Sequence, residues 1–185
     1  LNHLNNIQGP NVSYDNMSFF KDNDTNKTLL LYEGGGLGDF FMYSRFLPIV
    51  LKKYPNNKIL IIVKKSIIWI FEKLFVDFKN IILIRDDMLN TINNFDYHCN
   101  LISLMKYLKL CENTIPTEPM LKNLNITTSN STNEILKTIK KNTYIFNWKG
   151  NPNNCHDKYN RSMNLKKNID ILKIENINFI VITKD

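Results

Sequence analysis

Residues 32–54 read YEGGGLGDFFMYSRFLPIVLKKY, and this stretch decides the fold class. Four of the chain's 6 glycines lie within it, and an acid, Asp39, follows the last of them directly. The apolar run Thr28–Tyr32 before the glycines predicts a buried strand, and the run from 39 to 54 predicts a helix. Pro48 lies inside that helix and is expected to kink it. The stretch therefore predicts a strand, a glycine loop and a helix in succession.

The same alternation continues on the carboxyl side of this stretch. Strands are predicted over 58–63, 80–84 and 95–100, and helices over 66–75, where Ser66 is a plausible N-cap, and over 101–110. A short helix or turn is expected over 86–93. Strands that alternate with helices indicate an α/β fold, in which a Rossmann-like parallel sheet is flanked by helices on both faces.

Three segments follow from this pattern. Residues 1–27 form a polar lead-in, and residues 28–131 form the Rossmann-like domain together with a crossing segment that contains two prolines and a polar tract. Residues 132–185 are the beginning of a second domain of the same kind, with a helix over 133–141 and strands over 143–148 and 178–183. Asn164 is a plausible cap for a helix that runs to Ile171. This second domain is expected to be incomplete.

Composition excludes several classes of protein. The chain has 185 residues, a hydrophobic fraction of 43% and a formal charge of +7, which is spread over scattered lysines and forms no block. A nucleic-acid partner is therefore not expected. The most apolar stretch, 59–75, is interrupted by charged residues, so no transmembrane segment is predicted. The three cysteines form no C-x-x-C motif, and no signal peptide is visible, so a cytoplasmic protein without metal or cofactor is expected.

The glycines exceed what a tight turn requires, and we expect a ligand to approach the backbone there. The residues concerned are Gly34, Gly35, Gly36 and Gly38. A Walker A loop is excluded because no Lys-Ser or Lys-Thr follows, and the dinucleotide fingerprint is excluded by the spacing and by the lysines that end the second predicted strand. A nucleotide-binding protein of another type is therefore a weak option. Asp39 either caps the helix or presents a carboxylate at the carboxyl edge of the sheet.

Four stretches together resemble one family. EGGGLGDFFMYSRFLPIV (33–50), FDYHCNLISL (95–104), TIPTEPML (114–121) and WKGNPNNCHDKYNRSMNL (148–165) occur in the order found in heptosyltransferase-like glycosyltransferases, particularly in the domain often found behind tetratricopeptide repeats. The resemblance covers about 29–185. It implies a GT-B architecture, in which the first domain holds the acceptor and the second holds a nucleoside-diphosphate sugar.

The resemblance also implies a mechanism and a set of site residues. Sugar would be transferred to an acceptor hydroxyl without a metal, with Asp39 as the general base. Lys149 replaces a smaller residue of the family motif and is either a contact of the donor diphosphate or a surface lysine. Arg161 and Ser162 either line the cleft or only shape the loop. His98 contacts the acceptor or is a buried histidine with its hydrogen bonds satisfied.

The shortness of the second domain leaves alternatives open. The alternatives are a fragment of a longer parent, a truncated relic without activity, and a short form that works as a binding domain or with a partner chain. The alternative to a transferase is therefore a non-catalytic module of the same family that binds a sugar or a partner.

Overall fold

The computed structural model describes residues 16–33, 35–92, 94–122, 124, 128–140, 142–150 and 162–182. The chain divides into two compact units, Leu1–Asn125 and Ile126–Asp185, which are described separately as unit 1 and unit 2. The elements of unit 1 are β1 Thr28–Tyr32, α1 Leu37–Ser44, α2 Leu47–Lys53, β2 Lys58–Val63, α3 Ile68–Leu74, β3 Ile81–Arg85, β4 Tyr97–Asn100 and α4 Leu104–Tyr107. Those of unit 2 are α5 Asn130–Lys137, β5 Thr143–Phe146 and β6 Asn178–Val181.

Unit 1 is built on a parallel sheet of four strands in the order β3-β2-β1-β4. Leu31 of β1 pairs with Ile61 on one side, and Tyr32 pairs with Asn100 of β4 on the other. The chain moves outward from β1 to β3 and then returns to the opposite side of β1. This reversal makes the gap between the carboxyl ends of β1 and β4 a topological switch point, as in Rossmann-like folds. The α/β fold class with a Rossmann-like sheet is confirmed.

The helices of unit 1 pack on one face of the sheet. Side chains alternate along each strand, so Leu29 and Leu31 face a core formed with α1, α2, α3 and α4. Leu30 and Tyr32 face a smaller cluster on the other side, which is covered by a 3-10 turn at Leu89–Thr91. The prediction of helices on both faces is therefore wrong for the described residues. In the described residues between β3 and β4, this 3-10 turn is the only helical element.

The helix predicted over 39–54 is instead two helices. α1 ends at Ser44, α2 begins at Leu47, and Pro48 occupies the first turn of α2. A backbone N–H has no intrahelical partner in the first turn, so proline fits there without cost and the expected kink becomes a break. Ser66 does not cap α3, because Ile67 holds the N-cap position without a side-chain bond. The helix predicted over 101–110 begins as a 3-10 turn, Leu101–Ser103, before α4.

The strands follow the predictions closely. β1 and β2 have the predicted bounds, β3 is displaced by one residue from the predicted 80–84, and β4 begins later than predicted. Before β4, Asp96 bonds across to the start of β1: its Oδ2 accepts a hydrogen bond from the Thr28 N–H at 2.8 Å. The short turn predicted over 86–93 is the 3-10 turn at Leu89–Thr91.

Unit 2 contains two parallel strands, β5 and β6, and the helix α5. α5 begins earlier than predicted because the Ser129 side chain caps it, accepting a hydrogen bond from the Thr132 N–H. β5 and β6 occupy the two predicted strand regions but end earlier. Asn164 caps a 3-10 turn, Leu165–Lys167, where a longer helix was predicted, and a second 3-10 turn follows at Ile169–Lys173. No described residue of unit 2 is buried.

Candidate functional site at the carboxyl end of β1

The glycine loop lies at the carboxyl edge of the sheet. Gly35 and Gly36 are exposed between β1 and α1. The last residue of β1, Tyr32, pairs with Asn100, the last residue of β4. The loop therefore begins next to the end of β4, at the switch point where open α/β sheets bind their ligands. Gly34 lies outside the described residues.

Asp39 is held by the loop that precedes it. Its Oδ2 accepts a hydrogen bond from the Gly36 N–H at 2.7 Å, as the third residue of a helix does in a capping box. The side chain is half-buried, and the positive end of the α1 dipole lies beside it. No described residue donates to Oδ1. The structure thus gives Asp39 a capping role and leaves its second oxygen without a described donor.

The three described glycines of the loop have different reasons to be glycine. None adopts a positive φ, so left-handed backbone explains none of them. A Cβ at Gly35 would lie 2.4 Å from Asp39 Oδ2, so a side chain there requires the Asp39 carboxylate to move from its present position. A Cβ at Gly36 would make an ordinary contact of 3.6 Å, and one at Gly38 would meet nothing within 4 Å. The described part of the chain therefore does not itself require glycine at 38.

Glu33 is a site residue that the sequence reasoning missed. It directly follows β1, and its side chain, 23% exposed, lies 3.4 Å from the Lys64 ammonium at the end of β2. Burial raises the pKa of the Glu33 carboxyl, the negative charges of Asp86 and Asp39 raise it further, and Lys64 opposes them. The signal was available, because Glu33 is the first charged residue after the apolar run of β1.

The loops after β2 and β3 are joined by ionic bonds. Arg85 donates two hydrogen bonds to Asp87, at 2.8 and 2.6 Å, and these hold the pKa of Asp87 down at about 2. Lys65 contacts the same carboxylate at 3.3 Å, and its backbone N–H donates to Asp86 at 3.0 Å. Because these four residues bond to one another, we interpret the cluster as a structural support for the carboxyl edge of the sheet.

His98 lies on β4, two residues before the strand ends. Its Nδ1 is 3.3 Å from the Tyr32 hydroxyl, and its ring packs edge-on against Phe95. Burial lowers the pKa of the imidazole. His98 is therefore a partly buried histidine with a partner on the neighbouring strand, and a role in acceptor binding stays a prediction.

Two pieces of the last resembling stretch come together in unit 2. The Ser162 hydroxyl accepts a hydrogen bond from the Gly150 N–H at 2.8 Å, and the Met163 N–H donates to the Trp148 carbonyl at 2.8 Å. These bonds join residues 148–150, which follow β5, to residues 162–163. Lys149 is exposed beside them, with its backbone N–H bonded to Asn147. Arg161 lies outside the described residues.

The described residues contain neither a metal-binding cluster nor a membrane-spanning helix. There, no set of three or more His, Cys, Asp or Glu side chains is grouped as metal binding would require. No helix in the same ranges is both long and apolar enough to cross a bilayer.

The comparisons with known proteins identify no relative. No family model, no curated protein and no solved structure matches the chain. The GT-B architecture and the glycosyltransferase resemblance therefore stay predictions, which rest on the sequence motifs and on the arrangement of the glycine loop.

Proposed function

We propose that this chain takes part in glycosyl transfer from a nucleoside-diphosphate sugar to an acceptor hydroxyl, with unit 1 on the acceptor side. The observation that carries the proposal is the Asp39 carboxylate beside an exposed glycine backbone at the β1–β4 switch point. Open α/β sheets bind ligands at this position. The sequence resemblance supports the same assignment, because it places the general base of the family at Asp39.

The proposed chemistry uses the two oxygens of Asp39 differently. Oδ2 stays on the Gly36 N–H, which fixes the direction of the carboxylate. Oδ1 takes the proton of the acceptor hydroxyl as the oxygen attacks the anomeric carbon of the sugar. The bond between that carbon and the diphosphate oxygen breaks, and the nucleoside diphosphate leaves with the electron pair. Following the sequence resemblance, Lys149 is proposed to offset the charge of this leaving group. Arg161, Ser162 and His98 are proposed to contact substrate.

One observation favours a second candidate, a binding module without transfer activity. The bond from Gly36 gives Asp39 a structural task, helix capping, that requires no reaction. Such a module would use the glycine edge to bind a sugar or a partner and would leave the bond to the diphosphate intact.

The test measures the full chain with nucleoside-diphosphate sugars, both for binding and for hydrolysis or transfer, beside Asp39→Asn. An amide oxygen can still accept the Gly36 bond, so the fold should be retained while the proton acceptor is lost. We expect the rate to fall by about 10²–10⁴-fold, the range that a general base contributes. Asp77→Asn is the matched control, because that carboxylate is exposed and lies before the opposite end of β3.

Two results would count against transfer. Activity of Asp39→Asn within a few-fold of the parent chain would remove Asp39 as the base. Binding of the nucleotide sugar without turnover, in the parent chain as in the variant, would support the binding module.

A further inference from the structure

We propose a binding site for a small amphipathic anion, of the class of alkyl or aryl monophosphates, on the outer side of α1. The site, called here the α1 pocket, is a depression of about 370 Å³ within unit 1. It is lined by Gly38, Phe41, Met42, Arg45, Met120 and Leu121. Its volume falls within the lower part of the range of small-molecule sites. This inference goes beyond the proposed function, since it requires no donor sugar and no reaction.

The lining is apolar and is exposed to a degree that the fold does not explain. Met42 is 56% exposed and Leu121 is 43% exposed, and Leu37, at the start of the same helix, is 42% exposed. Apolar side chains that share one surface gain free energy when a ligand covers them. Two of the lining residues are methionines, whose flexible side chains adapt to the shape of an apolar ligand.

Gly38 forms the floor of the α1 pocket and presents only backbone atoms to it. Gly38 is the second residue of α1, and a Cβ built on it would meet nothing within 4 Å. Glycine costs about 1 kcal/mol relative to alanine in a helix interior, which is an upper bound for the first turn, where Gly38 lies. This residue therefore lowers helix stability at a point where no described part of the chain uses the space, which is the arrangement expected where a ligand approaches the helix.

The far wall is already in place without a ligand. Met120, from the crossing segment, packs against the core that contains α1. The Ser44 hydroxyl, buried in α1, donates to the Phe41 carbonyl at 3.0 Å and lies 3.4 Å from the Met120 sulfur. Because these contacts hold Met120 against α1, this side of the depression would require little ordering on binding.

Arg45 gives the α1 pocket its charge. It follows the last residue of α1 and is half-buried, and it forms no ion pair with any acidic residue that the structure describes. A guanidinium binds phosphate or carboxylate oxygens through paired N–H donors. Gly38 and Arg45 are separated by about 10 Å along the helix. The geometry therefore fits an apolar group over Gly38 and an anionic group at Arg45.

The chain contains an internal set of reporters for this site. Of its 6 methionines, Met42 and Met120 line the α1 pocket, while Met17, Met88, Met105 and Met163 do not. The experiment is a titration of the full chain, labelled with ¹³C-methyl methionine, with octyl phosphate below its micelle concentration. We expect saturable shifts of the Met42 and Met120 signals and small changes at the other four. Octyl glucoside supplies only the alkyl group and inorganic phosphate only the charge, so each should bind more weakly than octyl phosphate.

Variants separate the two halves of the site. Arg45→Gln should weaken octyl phosphate binding by about tenfold, the loss expected for one charge-assisted hydrogen bond. Gly38→Leu should abolish the shift of Met120 by filling the floor, with an unchanged circular dichroism spectrum. Lys52→Gln, which removes an exposed charge from α2, is the matched control and should leave the affinity unchanged.

Three results would overturn the proposal. The first is equal shifts at all six methionines, and the second is an affinity that is the same in Arg45→Gln as in the parent chain. The third is sedimentation with vesicles of phosphatidylcholine and phosphatidylserine without any response to monomeric octyl phosphate. None of these outcomes depends on sugar transfer, so the proposed function stands or fails separately.

Discussion

The first strands of the two units, β1 and β5, have similar apolar sequences but very different surroundings. Leu29, Leu30 and Leu31 of β1 have no solvent exposure, whereas Tyr144 and Ile145 of β5 are 55% and 69% exposed. β1 has a paired strand on each side and helices over one face, while β5 pairs with one strand only. The difference teaches that an apolar run specifies a strand, and that the neighbouring elements determine whether it becomes core.

The glycine loops of the two units resemble each other more closely than the strands do. In unit 1 a carboxylate, Asp39, accepts a hydrogen bond from the Gly36 N–H at 2.7 Å. In unit 2 a hydroxyl, Ser162, accepts one from the Gly150 N–H at 2.8 Å. Each loop follows a strand and is held by a side-chain oxygen that binds a glycine amide. The charged acceptor, which is the proposed base, is in the unit with the packed core.

The largest expected effect compares β1 and β5 directly. Leu31→Ala should lower the free energy of unfolding by about 2–5 kcal/mol, because it opens a cavity in a closed core. Ile145→Ala should change it by less than about 0.5 kcal/mol, as expected for an exposed position. Urea denaturation followed by circular dichroism measures both. A large loss for Ile145→Ala would show that β5 is covered in solution and would break the comparison.

The next effect separates two glycines of the same loop. Gly35→Ala should destabilise the chain by about 1 kcal/mol, because the new methyl group displaces Asp39 from its capping bond. Gly38→Ala should stabilise it by up to about 1 kcal/mol, since the space is open and alanine favours the helix. The midpoints of thermal unfolding give the sign of each change. If both substitutions destabilise the chain equally, the space beside Gly38 is not open and the description of the α1 pocket is wrong.

The smallest effect concerns Glu33 and pH. Its pKa is raised in the folded chain, so the folded state binds a proton more readily than the unfolded state. The contribution of Glu33 is therefore most favourable at acid pH and declines as pH rises from the unfolded pKa through the folded pKa. Glu33→Gln should remove this decline, a change of a few tenths of a kcal/mol for a partly exposed group paired with lysine.

The measurement for Glu33 is a series of urea unfolding curves from pH 4 to pH 7. Glu72→Gln, an exposed carboxylate on α3, is the matched control and should follow the parent chain at every pH. If Glu33→Gln also stays parallel to the parent chain, burial does not control the pKa of Glu33.

The sequence predicted the strands well because their signal is local. Runs such as Leu29–Leu31 and Ile59–Ile62 are dense in apolar residues, and charged or glycine residues mark their ends. The helix ends were predicted less well. Pro48 was compatible with a kink or with a new first turn, and packing decided between them. The structure has no α-helix among the described residues between β3 and β4. The face of the sheet that each connection covers depends on tertiary packing, which the alternation of strands and helices along the sequence could not reveal.

The site was predicted in part. The glycines and Asp39 were recognised from their position between a strand and a helix. The sequence could not show that Gly35 is the glycine where an added side chain would meet the Asp39 carboxylate. Glu33 directly follows the predicted strand Thr28–Tyr32, but it was missed because its burial and its contact with Lys64 depend on the fold. Arg45 and Met120 come from distant parts of the chain, so their approach to one pocket depends on the fold.

The break between α1 and α2 has a consequence for how the carboxylate is positioned. Because Pro48 starts a new helix, α1 is only 8 residues long, and a shift of α2 need not carry Asp39 with it. The backbone position of Asp39 is instead held by the adjacent Phe40, which is 2% exposed and meets the Phe71 ring edge-on at 5.0 Å, while the Gly36 N–H directs the carboxylate. The contact between Phe40 and Phe71 thus anchors the helix that carries the proposed base.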